Sequence, residues 1–303
     1  MNIISLSEKT RPEGAFVVAL GMFDGLHLGH VQLINTAIKM AGGKNSRCAV
    51  FTFSKTRAPF ICSLKTKLEL FEKAGVDTVF VADFDKIRNM TPVEFADVLK
   101  SDMNAVGAVC GFNFRFGQNA MGESSDLKRL GEERGIDVSV VPCFKIDQSP
   151  VSSTLIRDMI ASGDVALAAK YLGREFFIEE TIVHGRRVGH VIGFPTMNTE
   201  LPNDMIRPAN GVYFTTVIID GERYPAITNV GSRPTFGVGK VNVESHIITK
   251  FDKEAYGKDI RVVFHKYSRP EVKFTSIELL KTTLENDRRE AREFFGLLPE
   301  ENI

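Results

Sequence analysis

The first half of the chain alternates short apolar runs with segments of helical periodicity. The runs show little alternation and are bounded by turn signals, so they are predicted to be buried parallel strands: residues 16–23, 47–53, 77–82, 106–110 and 138–141. Between them, apolar residues recur three and four positions apart, as in residues 30–40 and 65–74. This order predicts an α/β domain with a Rossmann-like, doubly wound parallel sheet. Ligands then bind beyond the carboxyl ends of the strands, in the loops after residues 23, 53 and 110.

The pattern changes after residue 173. Two short helices are predicted over residues 151–172, and short β-rich stretches separated by turn residues follow over 176–267. This texture predicts an antiparallel β-barrel, which a helix over 276–295 closes. The predicted domains are residues 1–174 and 175–303.

Composition narrows the class of protein. The 303 residues contain 38 Lys plus Arg and 38 Asp plus Glu, so the net charge is zero and a nucleic-acid partner is not expected. We find no signal-peptide pattern and no run near the ~20 apolar residues of a membrane helix. The four cysteines are too far apart in sequence for a metal cluster. These features predict a globular, cytoplasmic protein with reduced, mostly buried thiols. They do not determine the oligomeric state, and a homo-oligomer is one possibility.

A compact motif follows the first predicted strand of the sheet. Residues 23–30 read F-D-G-L-H-L-G-H where a buried strand passes into a helix. Gly25 and Gly29 allow a tight turn and close approach to a ligand, and the N–H groups of a helix start suit phosphate oxygens. His27 and His30 share one side of the first turn and can stabilise an α-phosphate and its leaving pyrophosphate. The alternative is a Gly-rich turn with incidental histidines.

Two later segments are further candidates for this site. Residues 111–117 read G-F-N-F-R-F-G, and aromatics around Asn113 and Arg115 could hold a flavin and an anion, or simply form a β-turn with core phenylalanines. Residues 152–157 read S-S-T-L-I-R at a helix start, a pattern that suits phosphate. Capping of the helix by Ser153 is the alternative there.

The β-rich half opens on a Gly/Pro-rich loop, G-R-R-V-G-H-V-I-G-F-P-T-M-N from residue 185. Gly189 and Gly193 permit close approach to phosphates, and Thr196 and Asn198 offer hard oxygen ligands for Mg²⁺ beside ATP. Alone, a barrel loop would explain this segment. Four more segments follow it in order: N-V-G-S-R-P-T-F (229–236), N-V-E-S-H-I (242–247), A-Y-G-K-D-I (255–260) and S-R-P-E-V-K-F (268–274).

Together these motifs resemble those of the prokaryotic bifunctional FAD synthetases, which place an FMN adenylyltransferase before a riboflavin kinase. The G-M-F-D-G-L-H-L-G-H segment (21–30) is similar to the HxGH signature of the nucleotidyltransferase superfamily, and the resemblance covers roughly residues 15–295. It implies catalytic roles for His27 and His30, and for Glu244 as the base of the kinase.

The resemblance also implies binding roles for other residues. Those for Mg²⁺ are Thr196 and Asn198. Those for nucleotide or phosphate are Gly21, Phe23, Asp24, Gly25, Gly29, Ser153, Thr154, Arg157, Gly189 and Gly193. Those for flavin are Asn113, Phe114, Arg115 and Arg269.

Some positions depart from the family pattern. Residues 52–59 read T-F-S-K-T-R-A-P where the family usually has T-F-x-P-H-P, so the expected His is missing. His190 stands where an Arg is usual and Met197 where an Ala is usual, and a neutral His binds phosphate more weakly than Arg. These departures leave open a paralogue with one activity and a flavin-binding regulator without turnover. A kinase-like second half argues against transfer of another nucleotide, such as CMP.

The predicted function is FAD synthesis from riboflavin in two ATP-dependent steps. The second domain would convert riboflavin and ATP to FMN and ADP, and the first would convert FMN and ATP to FAD and pyrophosphate. One Mg²⁺ is expected with each nucleotide, because the charge of a triphosphate must be offset.

Overall fold

A computed structural model of the chain describes residues 1–6, 12–54, 59–183, 193–232 and 241–298. The chain divides into two units, Met1–Ser153 and Thr154–Ile303. The predicted domain boundary between residues 174 and 175 stays a prediction. In the described ranges, no helix combines the length and the apolar character that crossing a membrane requires.

Unit 1 alternates strands and helices along the chain. Its strands are β1 (Asn2–Ser5), β2 (Phe16–Leu20), β3 (Arg47–Phe53), β4 (Thr78–Ala82), β5 (Ala105–Gly111), β6 (Arg115–Phe116), β7 (Gly122–Glu123), β8 (Asp137–Val141), β9 (Lys145–Ile146) and β10 (Ser149–Pro150). Its helices are α1 (Leu28–Gly43), α2 (Leu64–Lys73), α3 (Phe84–Ile87), α4 (Pro92–Ser101) and α5 (Ser124–Glu132).

The main sheet of unit 1 has the order β1-β4-β3-β2-β5-β8, and all neighbouring strands are parallel. Successive side chains of β2 point to opposite faces of the sheet. Phe16, Val18 and Leu20 join the apolar cluster that includes α4 and α5, whereas Val17 and Ala19 join the cluster that includes α1 and α2. Helices therefore cover both faces, and the predicted doubly wound sheet is confirmed.

Unit 2 begins in the helices that follow the sheet and continues into β-structure. The helices are α6 (Ser153–Ala161), whose first residue is the last of unit 1, α7 (Val165–Leu172) and the C-terminal α8 (Ile277–Phe294). The strands are β11 (Phe176–Thr181), β12 (Met197–Leu201), β13 (Gly211–Ile219), β14 (Glu222–Ser232), β15 (Val241–Ile247) and β16 (Asp259–Arg269).

The strands of unit 2 form an antiparallel sheet of order β11-β16-β13-β14-β15-β12. The chain just after β11 returns to β12, where the N–H of Val183 donates to the carbonyl of Asn198 at 2.8 Å. This bridge nearly closes the sheet into a barrel. Ala291 of α8 packs with Val212 and Phe214 on the outer face. The predicted barrel with a closing helix is confirmed.

Glu180 on the edge strand β11 should make the stability of unit 2 depend on pH. Burial, together with the nearby carboxylates of Asp259 and Glu179, raises the pKa of its carboxyl to about 7. An unfolded Glu titrates near ~4.3, so the folded form favours the protonated carboxyl. That stabilisation is complete below the unfolded pKa and is lost as the pH rises through about 7.

We expect Glu180→Gln to remove this pH dependence. Because the side chain is only partly buried, screening limits the effect to ~1–2 kcal/mol. Urea unfolding should show the variant more stable than the parent by that amount at pH 8 and nearly equal to it at pH 4. Glu254→Gln, at an exposed position, is the matched control. An equal stability difference at both pH values would refute the assignment.

Candidate active sites in the two units

Unit 1 contains a cavity of about 760 Å³ at the carboxyl ends of its parallel strands. Leu20, Phe53, Gly111 and Val141, at or near the last positions of β2, β3, β5 and β8, all line it. The loops that leave these strands complete the wall, including the segment that starts at Gly21. The cavity therefore lies at the edge of the sheet where parallel folds bind their ligands.

His27 caps the helix that starts beside this cavity. Helix α1 begins at Leu28, earlier than the predicted residue 30, and His27 occupies the N-cap position with extended backbone angles. Its Nδ1 accepts the backbone N–H of His30 at 3.3 Å. A neutral imidazole that accepts at Nδ1 carries its proton at Nε2. The cap thus assigns the ring proton of a neutral His27 to Nε2, which makes this nitrogen the hydrogen-bond donor of the ring.

The two predicted catalytic histidines lie face to face on the cavity wall. The ring centroids of His27 and His30 are 3.5 Å apart with 14° between the planes, and the ring of Phe23 contacts His30 at 5.1 Å. Burial lowers the pKa of His30 well below its ordinary value, and the adjacent His27 and Lys67 lower it further. Its Nδ1 is buried and has no hydrogen-bond partner among the described residues. His30 is therefore a neutral imidazole at physiological pH.

The loop between β2 and α1 has an unusual backbone. Phe23 and Leu26 have φ of 51° and 40°, and Gly25 has φ of 76°. The left-handed region is costly for bulky residues, so surrounding contacts must hold this turn in place. The ring of Phe23 is fully buried against Phe71. Asp24 is also buried, and its Oδ1 accepts the N–H of Ile61 at 2.8 Å.

Ser153 joins the start of α6 to this loop. Its hydroxyl donates to the carbonyl oxygen of Asp24 at 2.8 Å, and Ser153 also lines the cavity. It is the first residue of α6, so it lies one position after the N-cap position that the alternative interpretation gave it. Thr154 and Arg157 follow on the same helix in unit 2, where Arg157 Nη2 lies 3.4 Å from the hydroxyl of Thr154.

The three flavin candidates of unit 1 all line the cavity: Asn113, Phe114 and Arg115. The ring of Phe114 stacks on that of Phe116 with 5.6 Å between centroids and 16° between planes. The guanidinium of Arg115 is paired with the carboxylate of Glu123. Further phenylalanine rings continue the apolar wall: Phe51, Phe53, Phe84 and Phe95.

The predicted metal ligands and the predicted base of unit 2 share one face of the barrel. Asn198 on β12 lies directly opposite Glu244 on β15. The amide of Asn198 lies 3.4 Å from both the carbonyl and the hydroxyl oxygens of Thr196. The Nδ1–H of His246 donates to the carbonyl of Pro195 at 2.8 Å, which links the loop before β12 to β15.

Asn242 links these residues and was not singled out in the sequence. Its amide nitrogen lies 3.4 Å from Oδ1 of Asn198 and donates to Oε1 of Glu244. Asn242 and Asn198 are both buried. The separation of two between Asn242 and Glu244 puts both on one face of a strand, which is the signal that could have found it.

The oxygen donors of this face fit Mg²⁺. Thr196 and Asn198 contribute a hydroxyl and an amide oxygen, and the carboxylate of Glu244 lies beside them. The described residues hold no group of three His, Cys, Asp or Glu side chains that could bind a metal. Mg²⁺ commonly takes few protein ligands and completes its shell with water and nucleotide phosphates, so this sparse set is of the right kind.

The remaining candidates of unit 2 have different surroundings. Arg269 forms a two-point ion pair with buried Asp287 of α8, at 2.8 and 2.6 Å, and this hydrogen-bonded carboxylate raises the pKa of the guanidinium. Gly193 is exposed with φ of 84°. Gly189 and His190 lie outside the described residues, as do positions 55–58 of the segment that departs from the family pattern.

Comparison with known protein families matches the two parts of the chain to two different enzyme domains. Residues 9–155 match the family model of FAD synthetase, and residues 172–295 match the family model of riboflavin kinase. Fold, sites and matches together define an enzyme with a nucleotidyltransferase domain followed by a flavin kinase domain.

Curated relatives cover almost the whole chain. The chain is 33% identical over 297 residues to the bifunctional riboflavin kinase/FMN adenylyltransferase of Bacillus subtilis, with 93% of each chain covered. It is 33% identical over 298 residues to that of Escherichia coli K12, covering 94% and 95%. It belongs to the family of bifunctional riboflavin kinase/FMN adenylyltransferases. The predicted family is confirmed, and with it the predicted class of enzyme, which converts riboflavin to FMN and FMN to FAD.

A solved structure shares the fold over nearly the full length. The crystal structure titled as a macrolide-efflux protein from Streptococcus pneumoniae superimposes with a TM-score of 0.88 and 29% identity, covering 96% of this chain and 99% of that one. Its title names efflux, whereas the family models and curated relatives name flavin chemistry. That likeness supports the fold.

Proposed function

We propose that the two sites of this chain make FAD from riboflavin and ATP, with adenylyl transfer in unit 1 and phosphoryl transfer in unit 2. The observation that carries the proposal is the meeting of three predicted motifs at one cavity. The loop at residues 21–30, the segment at 111–117 and Ser153 are far apart in sequence, yet all contribute to the same wall. We also propose residues 1–174 and 175–303 as the two functional domains, and a cytoplasmic location.

In unit 1, a phosphate oxygen of FMN attacks the α-phosphorus of ATP and pyrophosphate leaves. His27 donates through Nε2–H to oxygens that gain charge in the transition state, because its Nδ1 is occupied by the helix cap. His30 acts as a neutral donor or acceptor beside it, because burial and the neighbouring His27 and Lys67 disfavour a positive charge on its ring. The N-terminus of α1 suits the phosphates, because backbone N–H groups point out of a helix at this end.

The same site holds its substrates through the residues around the histidines. Gly21 and Gly29 line the cavity and let backbone approach the nucleotide. Phe23 and Asp24 contribute through the backbone of the turn, because both side chains are buried. The other nucleotide contacts of unit 1 are Gly25 and Ser153. Thr154 and Arg157, which belong to unit 2, remain candidates for binding phosphate. The aromatic wall with Asn113, Phe114 and Arg115 receives the flavin ring and phosphate of FMN.

In unit 2, the terminal ribityl hydroxyl of riboflavin attacks the γ-phosphorus of ATP and ADP leaves. Glu244 accepts the proton of that hydroxyl as the new P–O bond forms. Asn242 holds the Glu244 carboxylate and Asn198 on one face of the barrel. Arg269, fixed by its ion pair with Asp287, is a candidate flavin contact, and Gly189 and Gly193 are candidate phosphate contacts.

Thr196 and Asn198 would hold Mg²⁺ in unit 2 through their side-chain oxygens. When bound, the ion offsets the negative charge of the ATP phosphates. Asn242 is hydrogen-bonded to both Asn198 and Glu244, so the side-chain oxygens of Asn242 and Glu244 also lie near this metal site.

Asn198→Ala should weaken this metal site specifically. Riboflavin phosphorylation should then need on the order of 10-fold more Mg²⁺ for half-maximal rate, because one oxygen ligand is lost. Asn203→Ala, at an exposed position, is the control. Rates titrated against Mg²⁺ at saturating ATP measure the effect. An unchanged Mg²⁺ requirement would remove Asn198 from the metal site.

A time course with purified protein, ATP and Mg²⁺ tests the whole proposal. Started from riboflavin, FMN should rise first and FAD should follow; started from FMN, FAD should appear without delay. FMN that accumulates without FAD would overturn the adenylyltransferase assignment. FAD from FMN alone would overturn the kinase assignment. Flavin binding without any product would favour the regulator.

A further inference from the structure

A buried lysine lies behind the cavity wall of unit 1. Lys67 on α2 is 4% exposed, although lysine is among the residues least often buried. Its Nζ lies 3.2 Å from the carbonyl oxygen of Phe53 and 3.5 Å from that of Met22. A buried ammonium group is costly unless it is hydrogen-bonded, so these carbonyls account for its position.

The two carbonyls belong to adjacent parts of the cavity wall. Phe53 ends β3, Met22 follows β2, these strands are neighbours in the sheet, and both residues line the cavity. The hydroxyl of Thr52 also donates to the carbonyl of Met22, at 3.0 Å. One ammonium group therefore ties the carboxyl ends of two strands together where the loop to the histidines begins.

That loop needs such restraint. It contains the left-handed residues Phe23 and Leu26, and strain of this kind persists only where neighbouring contacts enforce it. Four groups hold the loop from behind: the Lys67 ammonium and the Thr52 hydroxyl at the Met22 carbonyl, the backbone of Ile61 at the Asp24 carboxylate, and Ser153 at the Asp24 carbonyl. Among these four, Lys67 is the charged donor.

The charges around Lys67 connect it to the histidine pair. Burial lowers the pKa of Lys67, while Cys62 and Asp24 act in the opposite direction. The positive charge of Lys67 also lowers the pKa of His30, in addition to the effects of burial and of His27. Removing the charge should therefore raise the pKa of His30, which a merely space-filling side chain would not do.

We propose that Lys67 is a positioning residue of the adenylyltransferase site, which ties the carbonyl of Met22, where the Met22–Asp24 turn begins, to the carbonyl of Phe53 at the end of β3 and so places His27 and His30 against the nucleotide. The inference rests on the proposed function of unit 1. It gives α2, a helix that contains none of the motifs identified in the sequence, a role in positioning the catalytic histidines.

The test compares Lys67→Met with Lys73→Met in the full chain. Both remove an ammonium group from α2, but Lys73 is exposed. With FMN and ATP as substrates, Lys67→Met should lower kcat by about 10- to 100-fold, since a small misplacement of catalytic groups has effects of this size. Lys73→Met should stay within twofold of the parent, and riboflavin phosphorylation should be unchanged in both variants.

The pH dependence separates positioning from simple structural support. NMR titration of the His30 ring should show a higher pKa in Lys67→Met than in Lys73→Met. Lys67→Gln keeps a neutral donor near the carbonyls, so it should recover part of kcat while the His30 titration stays shifted. A kcat for Lys67→Met within twofold of that for Lys73→Met would overturn the proposal.

Two other outcomes are also decisive. If both Lys67 variants lose the fold of unit 1 while riboflavin phosphorylation persists, Lys67 is a residue of the fold alone and the positioning role is wrong. If the parent protein itself makes no FAD from FMN, the proposed function of unit 1 fails, which is a different result from an active parent with an insensitive Lys67.

Discussion

Replacement of His27 by asparagine should abolish most FAD formation while leaving the protein folded. An Asn side chain can still cap α1, since its oxygen takes the place of the Nδ1 that accepts the His30 N–H. It lacks the Nε2–H that we assign to the transition state. Loss of one such donor lowers the rate by about 10²- to 10³-fold. The rate of FAD formation from FMN and ATP measures this loss.

His27→Gln provides the matched comparison. Its amide nitrogen can reach the place of Nε2, but its oxygen is too far along the chain to cap the helix in the same way. We expect a lower midpoint of thermal unfolding than for His27→Asn, together with a smaller loss of rate. The assignment fails if His27→Asn keeps the rate of the parent, or if both variants also lose riboflavin phosphorylation.

Glu244→Gln should produce the complementary defect. A glutamine can accept the hydrogen bond from Asn242 through Oε1, so the barrel face should keep its arrangement. It cannot accept the proton of the ribityl hydroxyl. General-base catalysis contributes about 10²- to 10⁴-fold, and riboflavin phosphorylation should fall by that range.

The controls for this variant come from the same chain. Glu254→Gln, at an exposed position, should phosphorylate riboflavin at the parent rate. Glu244→Gln itself should make FAD from added FMN as fast as the parent does. If phosphorylation survives in Glu244→Gln within a few-fold of the parent, another group is the base.

The sequence predicted the fold best where the apolar pattern was strong. Strands such as β2 are uninterrupted apolar runs with fully buried side chains, and the barrel strands are β-rich stretches separated by turn residues. Helix α5 and strand β1 were not predicted. Helix α5 is mostly polar, with Leu127 and Leu130 as its buried large side chains, and β1 is a four-residue edge strand with exposed Asn2 and Ile3. Short or polar elements owe their structure to packing that the local pattern does not record.

The residues of the candidate sites also differ in how far the local sequence predicts them. The positions of His27 and His30 follow from local spacing, because a strand, a glycine turn and a helix start already place them on one side. The carbonyl groups that Lys67 contacts lie 14 and 45 residues away in sequence. Asn242 contacts Asn198, which lies 44 residues away, as well as the nearby Glu244. No local sequence pattern predicts such long-range contacts. Helical spacing does put Lys67 on the same face as buried Phe71, which is a usable signal.

Mixing the two defective variants tests the central claim most directly, namely that one chain carries two separate sites that act in sequence. His27→Asn alone should convert riboflavin to FMN and stop, and Glu244→Gln alone should leave riboflavin unchanged. Combined with ATP and Mg²⁺, they should form FAD after a lag in which FMN accumulates. If the mixture makes no FAD although each variant keeps its other half-reaction, the two sites do not work as proposed.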